Sequence, residues 1–372
     1  MLQYLTCGES HGKYLTAILE GMPSGLEVDL DFINHELLKR QKGYGRGGRQ
    51  KIESDQIEIT GGVYKGKTTG APIGLLIENK DVKIEVLPQL FRPRPGHADL
   101  AGALKYNQGI REILERASAR ETAIRVAVGA VTRILLREFK IEVVGHVVQI
   151  GKAKFEEEIS FDQILKQREG SEVNCVSREV EKLMVAEIQK AMKNKDTVGG
   201  KYEIRVRGIP IGLGSHVHYK RKLDGRIAQA LMSMQSVKAV EFGLGVLEAE
   251  THGSGAHDEI FYDSKHGYYH KTNRAGGITG GMTNGAEILV RATMKPISTL
   301  RRELGSVNMK TKKEEKADFE RSDVCAVPAG SVIGEAIVAF EVAEALLEKF
   351  GGDSLIETKR NYEGYLHQLT KS

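Results

Sequence analysis

The chain has 372 residues, enough to bury a large hydrophobic core in one large domain or two. Its 54 Lys and Arg nearly balance its 50 Asp and Glu, so bulk charge does not favour nucleic-acid binding, and affinity for anions must come from local clusters. Three widely spaced cysteines predict neither a disulfide framework nor a zinc site, and the chain shows no signal-like or membrane-spanning run, so we expect a cytoplasmic protein.

Residues 2–20 predict two strands separated by the polar loop Gly8-Glu9-Ser10-His11-Gly12, which places Ser10 and His11 at a strand end. A predicted helix over residues 31–41 runs into the glycine loop, residues 43–49. This loop matches G-x-G-x-x-G, but a dinucleotide site needs a strand before the motif, and here a helix precedes it. We therefore interpret it as a loop that carries Arg46 and Arg49, with Arg40 close by, and that closes over an anion.

Residues 57–77 predict a β-hairpin that contains a complete match to the phosphate-binding motif G-x-x-x-x-G-K-[ST] at residues 61–68. Gly70, Pro72 and Gly74 follow at once and exclude the helix that such a loop requires, so a chance match is favoured. The alternative is a phosphotransferase that uses Lys67 and Thr68. Tight binding of ATP and magnesium would favour this alternative.

Residues 92–125 concentrate arginine around one histidine. The forked donors of these arginines suit phosphate or carboxylate, and His97 follows a Pro-Gly turn that presents its ring. The arginines are Arg92, Arg94, Arg116, Arg120 and Arg125. The simplest interpretation is an anion site with one proton carrier. A turn and a helix whose arginines face water is the alternative.

The middle of the chain predicts helices over 123–139, 177–193 and 223–234 and strands over 141–150, 201–207 and 237–246, with an irregular segment at 152–176. His216 and His218 would share one face of a strand. Because no cysteine or pair of carboxylates lies near them, surface histidines are favoured over a metal site, and we predict no metal.

The last third contains a second informative region, residues 273–299, in which paired glycines leave bare backbone for a flat ligand or a phosphate. A strand over 286–293 leads to Lys295-Pro296-Ile297-Ser298-Thr299, and a glycine-rich hairpin alone is the alternative. Residues 308–320 predict an exposed loop and residues 331–350 a buried helix. Without an internal repeat or a linker, we predict a single domain over 1–372.

Five motifs, in this order and spacing, together resemble the chorismate synthase family. They are residues 8–12, 40–49, 94–99, 116–122 and 276–285, and the similarity extends through 295–299 and 321–323. The resemblance implies an α/β (α+β) fold with helices packed between antiparallel sheets, a β-α-β sandwich. It also implies a lyase that converts 5-enolpyruvylshikimate 3-phosphate to chorismate by 1,4-anti elimination of phosphate, using reduced FMN without net redox change.

The resemblance further implies roles for single residues. His11, with Ser10 beside it, would protonate the reduced flavin, His97 would protonate the leaving phosphate or hold its charge, and Asp323 with Ser118 would act near the flavin N5. The implied FMN contacts are Arg116, Ala117, Ser118, Gln235, Ser236, Gly280, Lys295, Pro296, Ile297, Ser298, Thr299 and Arg321. Position 117 is Ala where the family pattern has Ser, so only a backbone contact is expected there.

Arg40 and Arg46 would bind NADPH or substrate phosphate, and Arg46, Arg49, Arg94, Arg120 and Arg125 are further candidates for the substrate. The family resemblance also implies a homotetramer. The sequence leaves open whether NADPH reduces the flavin on this protein or a separate flavin reductase supplies it, and the lack of an appended domain favours the latter. A non-catalytic RNA- or anion-binding protein is disfavoured by the modest net charge of +4.

Overall fold

The computed structural model describes residues 1–48, 52–264, 267–320 and 322–370. The strands in these residues are β1 (Gln3–Cys7), β2 (Tyr14–Glu20), β3 (Ile57–Gly61), β4 (Val63–Tyr64), β5 (Lys67–Thr68), β6 (Ile73–Glu78), β7 (Glu142–Ile150), β8 (Ala153–Lys154), β9 (Gly200–Arg207), β10 (Val237–Phe242), β11 (Ile260–Asp263), β12 (Gly267–His270), β13 (Ile278–Thr279), β14 (Met282–Thr283), β15 (Ile288–Met294), β16 (Gly305–Val307) and β17 (Glu314–Lys316). The helices are α1 (Leu30–Gln41), α2 (Asp99–Tyr106), α3 (Ile110–Ala117), α4 (Thr122–Arg137), α5 (Phe161–Gln167), α6 (Arg178–Lys193), α7 (Leu223–Met232), α8 (Gly253–Ala256), α9 (Val327–Phe350) and α10 (Leu355–Leu369).

Two antiparallel sheets form the outer layers of the fold. One has the strand order β1-β2-β6-β3 and the other β10-β15-β9-β7-β8. Every pairing within them is antiparallel. In the first sheet apolar residues alternate along the strand, as in β2, where Leu15, Ala17 and Leu19 are buried. These buried residues face the helices that lie between the sheets.

Helices α4 and α9 fill the space between the sheets. Helix α4 packs on β2 and β6, α9 packs on β7 and β9, and the two helices pack on each other. Both helices are apolar on almost every side, which is expected of helices with sheet on one face and helix on another. The result is the predicted layering of helices between antiparallel sheets. Within the described residues, no helix combines the length and the apolar character needed to span a lipid bilayer.

The crossing of α4 and α9 depends on a glycine. A Cβ on Gly129 would lie 2.3 Å from the Cβ of Ala336 and 2.6 Å from its carbonyl oxygen. Only a residue without a side chain permits this approach of the two backbones. On the opposite face of α9, Gly330 and Gly334 make room for side chains of the second sheet, since their Cβ atoms would lie 2.4 Å from Met294 Sδ and 2.6 Å from the Tyr202 ring.

Most predicted elements are confirmed, and three expectations are wrong in part. The segment 152–176 is not irregular throughout, because it contains α5, which begins with a capping box between Ser160 and Gln163. Residues 308–320 are not wholly a loop, since they contribute β17 to the β16–β17 hairpin. The strand predicted over 237–246 ends at Phe242 and a 3-10 turn follows.

Loops at one end of the two sheets bring together most of the segments singled out in the sequence, whereas residues 276–285 lie at the other end of the second sheet, beside the start of β15. The pairing of Tyr14 with Glu78 places the loop 8–13 beside the segment that follows β6. In the second sheet, the pairing of Val237 with Met294 places residue 236 beside Lys295. The N-termini of α4 and α9 lie at this same end, and helix N-termini favour negative charge.

Candidate active site

The loop that carries His11 is held by Glu115 of α3. The backbone N–H of His11 donates to Glu115 Oε2 (2.7 Å), and the His11 ring Nδ1 lies 2.9 Å from Oε1 of the same carboxylate. The Ser10 N–H donates to the carbonyl oxygen of Glu115 (2.8 Å). Ser10 is buried, and its hydroxyl donates to the Ser118 hydroxyl (3.0 Å). The structure therefore places Ser118 with Ser10 and His11, whereas the resemblance implies that Ser118 acts together with Asp323.

Asn79, which the sequence reasoning missed, shapes the same loop. It is buried, and its side-chain amide donates to the carbonyl oxygens of Gly12 (2.7 Å) and Glu9 (3.2 Å). The Asn79 Oδ1 in turn accepts from Arg120 Nε (2.9 Å). An asparagine that follows a buried strand is the one signal that could have suggested it.

Arg40 and Arg120 lie beneath this loop in a buried ionic cluster. Arg120 Nη1 lies 2.7 Å from Asp55 Oδ1, and Arg40 Nη1 lies 3.5 Å from the other oxygen of Asp55. Arg40 also donates to the Thr122 hydroxyl (3.0 Å) and to the Ala119 carbonyl oxygen (3.0 Å). Complete burial, with Arg120 and Arg46 nearby, lowers the pKa of Arg40 to about 9 despite the attraction of Asp55. Arg40 still carries its charge at neutral pH.

Asp323 meets the glycine loop. The Gly47 N–H donates to Asp323 Oδ1 (2.6 Å), and Arg46 Nη1 lies 2.9 Å from Oδ2. The loop is anchored further along, because the N–H of Val324 donates to the carbonyl oxygen of Gly45 (2.8 Å). The Asp323 carboxylate therefore accepts a hydrogen bond from a backbone N–H and forms an ion pair with an arginine at the same time. The candidate Arg49 lies outside the described residues, as does Arg321.

His97 is held by a carboxylate as well. Its ring Nδ1 lies 2.5 Å from Asp99 Oδ1, and Arg94 donates to Asp99 through Nε (2.7 Å) and Nη2 (2.9 Å). Asp99 is buried, but the hydrogen bonds from His97 and Arg94 outweigh that burial and hold its pKa well below the usual range. Arg94 Nη1 also donates to the Thr299 hydroxyl (2.8 Å).

Hydrogen bonds connect two of the three proposed proton carriers, His97 and Asp323, and an electrostatic interaction between arginines relates Asp323 to the cluster beneath His11. Thr299 accepts at its carbonyl oxygen from the Ser322 hydroxyl (2.7 Å), and Ser322 precedes Asp323 in the chain. His97 is thus linked to Asp323 through Arg94 and Thr299. On the other side of Asp323, its partner Arg46 lies close enough to Arg40 to lower the pKa of Arg40. Arg40 and Arg120 share Asp55, and Arg120 binds Asn79, which holds the loop that carries Ser10 and His11.

Residues 295–298 line a cavity of about 400 Å³ together with Pro95, Gly96 and Thr197. Lys295 donates through Nζ to the Gly96 carbonyl oxygen, and its backbone N–H donates to the carbonyl oxygen of Ser236 (2.9 Å). Arg116, exposed, donates to backbone oxygens of Thr6 (3.0 Å) and Gly8 (3.2 Å) at the end of β1. Ala117 ends α3 beside Ser118.

The residues of this region fit a flat, phosphate-bearing cofactor such as FMN. Gln235 Oε1 is buried and has no hydrogen-bond partner within the described part of the chain, so it is an acceptor that a ligand N–H would satisfy. Ser236 adopts a positive φ of 71°, which a non-glycine residue rarely does. Gly280 lies apart from these residues, in the β13–β14 hairpin against the start of α7, at the opposite end of β15 from Lys295. Among the described residues, a Cβ on Gly280 would meet no atom within 4 Å.

Two groups of candidates lie apart from these contacts. Arg125 pairs with Glu121 (3.0 Å) and donates to the Ser233 hydroxyl (2.9 Å), on the wall of a separate cavity of about 800 Å³. His216 and His218 are exposed just before a 3-10 turn, not in a strand. Within the residues described, no group of three or more His, Cys, Asp or Glu side chains is arranged to hold a metal ion.

Neither glycine-rich motif match has the strand–loop–helix geometry of the nucleotide site that the motif describes. Helix α1 precedes the glycine loop, and residues 63–68 form the short β4–β5 hairpin with no helix after it. The phosphate-binding loop therefore lacks the helix N-terminus on which its chemistry depends.

Comparison with known proteins gives one family. A family model described as chorismate synthase matches residues 2–347. The chorismate synthase of Solibacter usitatus is 52% identical over an alignment of 386 positions that covers 99% of each chain. That of Brevibacillus brevis is 51% identical over 380 positions and 98% of each chain. A crystal structure of chorismate synthase aligns with a TM-score of 0.84 at 41% identity, over 100% of this chain and 99% of the other.

Proposed function

The chain belongs to the chorismate synthase family, and on that premise we propose how its residues convert 5-enolpyruvylshikimate 3-phosphate to chorismate and phosphate. The family uses reduced FMN, which when bound supplies an electron-rich ring beside a C–H bond that side chains alone are too weak to break. The observation that carries the proposal is the series of hydrogen bonds, ion pairs and electrostatic interactions that relates His11, Asp323 and His97 through buried arginines.

We propose that His97 donates a proton to the departing phosphate. A leaving group of this charge needs an acid nearby, and a histidine is suited to that task near neutral pH. The Arg94 guanidinium, which is bound to the same Asp99 carboxylate, keeps positive charge next to the ring. Lys295, which contacts the Gly96 carbonyl oxygen, brings a second cation to the turn that precedes His97.

Asp323, assisted by Ser118, receives the ring proton, and His11, with Ser10, supplies a proton to the flavin region. Arg46, with Arg49 on the same loop and Arg94 and Arg120 behind the site, binds the anionic groups of the substrate or the phosphate of NADPH. Arg40, which is buried beneath the His11 loop, adds a further positive charge to the site. Arg125 is the weakest candidate for the substrate, because its donors are engaged with Glu121 and Ser233.

The flavin contacts are proposed to be those that the family resemblance implies. Arg116 to Ser118 are proposed as one group of contacts, Gln235 and Ser236 as a second, and Lys295 to Thr299 as a third. The resemblance adds Gly280, which lies at the opposite end of β15, and Arg321, which is outside the described residues. The buried acceptor of Gln235 and the cavity beside Lys295 support this assignment.

The test is phosphate release under anaerobic conditions with chemically reduced FMN. His97→Ala should slow the release by roughly a hundredfold or more, the usual effect of losing a positioned acid. A wild-type rate in that variant would remove His97 from the mechanism. The exposed His252 offers a matched control, and His252→Ala should leave the rate unchanged.

The source of reduced flavin is a separate question with its own experiment. We propose that a separate reductase supplies it, so NADPH with oxidised FMN should give no phosphate release until such a reductase is added. Release with NADPH alone would show that the protein reduces its own flavin.

We also propose a homotetramer in the cytoplasm. On the outer face of the first sheet, the cross-strand neighbours Leu5 and Ile18 are 74% and 56% exposed, and such an apolar patch suits contact between subunits. Light scattering after size-exclusion chromatography measures the subunit number, and a monomer would refute the assembly. The compartment rests on the three cysteines, all of which are unpaired.

A further inference from the structure

Two buried carboxylates that carry no assigned role, Glu115 and Asp99, hold the two site histidines in the same way. Glu115 is 4% exposed and Asp99 1% exposed. Each lies within hydrogen-bond distance of a ring Nδ1, at 2.9 Å in His11 and 2.5 Å in His97. The two pairs come from different segments of the chain, so one arrangement occurs twice in one site.

The geometry determines which ring nitrogen carries the hydrogen. The pKa of Glu115 and that of Asp99 are both lowered by hydrogen bonds that outweigh burial, so both carboxylates are ionised and can only accept. Nδ1 must therefore donate in each ring. Arg94 Nη2 also lies 3.0 Å from His97 Nδ1 and 3.4 Å from Nε2, but two donors cannot bond each other, and one of its two hydrogens goes to Asp99 Oδ1 at 2.9 Å.

We propose that Glu115 and Asp99 are positioning residues that fix both histidines with hydrogen on Nδ1, so that Nε2 is the nitrogen that exchanges protons in the reaction. This inference rests on the proposed roles of His11 and His97. It goes beyond them by naming the atom that reacts and the side chains that select it.

A second donor prevents each carboxylate from turning away from its histidine. Asp99 accepts from the backbone N–H of Arg94 (3.0 Å) as well as from the Arg94 side chain. Glu115 accepts from the backbone N–H of His11 itself (2.7 Å). The charged groups around the pairs are Arg94 and Lys295 near His97, and Arg111, bound to Glu320, near Glu115.

These second donors make the amide variants informative. In Asp99→Asn the amide has one oxygen, which the Arg94 backbone N–H and Nε, both bound to Oδ2, will occupy, so the NH2 group must face His97 Nδ1. In Glu115→Gln the backbone N–H of His11 claims the oxygen in the same manner. A facing NH2 donates, so the ring must accept at Nδ1 and move its hydrogen to Nε2.

The experiment uses the full-length protein with ¹⁵N-labelled histidine and reads the tautomers by NMR. The wild-type protein should show His11 and His97 with hydrogen on Nδ1, and each amide variant should shift its own histidine to the other tautomer. In the anaerobic assay with reduced FMN, kcat should fall roughly a hundredfold or more in each variant while KM changes by about twofold or less.

His146 and Glu203 provide the matched control. Glu203 Oε1 lies 3.3 Å from the opposite nitrogen, Nε2, of the buried His146, on the central strands of the second sheet. Glu203→Gln should lower the melting temperature, because Glu203 also binds Arg205 and Arg291, and it should leave kcat unchanged. An unchanged kcat in this variant separates a general loss of stability from an effect on the site.

Hydrogen on Nδ1 in an amide variant, or a wild-type kcat in a folded variant with the altered tautomer, would overturn the proposal. Circular dichroism establishes that each variant is folded, and either variant alone is sufficient for the test. If the wild-type protein releases no phosphate with reduced FMN, the proposed function fails. The tautomers of the wild-type protein and its variants would still decide whether the carboxylates select them.

Discussion

Asn79 shows how one amide determines the shape of the loop that carries His11. It ties the carbonyl oxygens of Glu9 and Gly12 to Arg120, and Arg120 is paired with Asp55. The loop itself contains few side chains that could define its path. Its conformation therefore depends on a residue almost seventy positions away in the chain.

Asn79→Ala should destabilise the protein by about 1–3 kcal/mol, because the Gly12 carbonyl oxygen and Arg120 Nε lose their partner inside the protein. It should also lower kcat, since the His11 loop relaxes. Urea unfolding and the phosphate-release assay measure the two effects. Asn361→Ala removes a similar hydrogen bond, to the Phe350 carbonyl oxygen (2.7 Å), and should leave kcat unchanged. An equal loss of kcat in both variants would contradict a special role for Asn79.

The site residues were only partly accessible to sequence reasoning. His11, His97 and Asp323 stand in distinctive motifs, so their candidacy could be predicted. Glu115 and Asn79 lie in ordinary helical and strand-end patterns, where nothing local indicates a partner more than sixty positions away. Partners of this kind are set by tertiary packing, which a single sequence does not display.

At the scale of elements, the contact between α4 and α9 depends on missing side chains. The backbones approach at Gly129 and Ala336 closely enough that a methyl group on Gly129 would overlap its neighbour. Helix α4 bears on the first sheet and α9 on the second, so their separation also sets the distance between the sheets.

Gly129→Ala should lower the free energy of unfolding by about 1–3 kcal/mol, although alanine is the better helix former. Gly364 lies in α10 with no atom within 4 Å of a Cβ, and Gly364→Ala should instead stabilise the protein by up to about 1 kcal/mol. Thermal and urea unfolding measure both changes. A neutral Gly129→Ala would mean that the helices can move apart without loss of packing.

Long helices were predictable from their apolar pattern, whereas short elements were not. Helix α5 has seven residues in a polar segment, and its clearest signal was the capping pair of Ser160 and Gln163. The β16–β17 hairpin was hidden by charge, since β17 reads Glu314-Glu315-Lys316. The hairpin is held by hydrogen bonds between the two backbones, and its sequence lacks the alternation of apolar residues that would have predicted a strand.

Across the whole molecule, a buried ionic cluster joins three helices. Glu36 of α1 and Glu335 of α9 both pair with Arg133 of α4, and Arg168 binds Glu335 from the other side. Burial by itself would raise the pKa of Glu36, but Arg133 and Lys39 outweigh it and lower the pKa to about 2. The charged form is therefore the one that stabilises the fold.

The sign of the pH effect follows from this depressed pKa. The contribution of Glu36 is fully present above its ordinary pKa of 4.5 and is lost as the pH falls through about 2. Glu36→Gln should cost up to about 3 kcal/mol at pH 7 and proportionally less as the pH drops below about 5. Urea unfolding at several pH values measures this. Glu156→Gln, at an exposed position, should show no such dependence.

The arrangement of Asp323 against the glycine loop limits how position 47 can vary. A methyl group there would lie 3.0 Å from the Ser322 carbonyl oxygen and 3.2 Å from Asp323 Oδ1, so any bulk added to the loop pushes directly on that carboxylate. A substitution at position 47 that is meant to reshape the glycine loop would therefore also disturb the proposed acid–base role of Asp323. Variation intended to change the loop alone is better directed to a neighbour such as Gly48, where a Cβ would meet nothing within 4 Å among the residues that the structure describes.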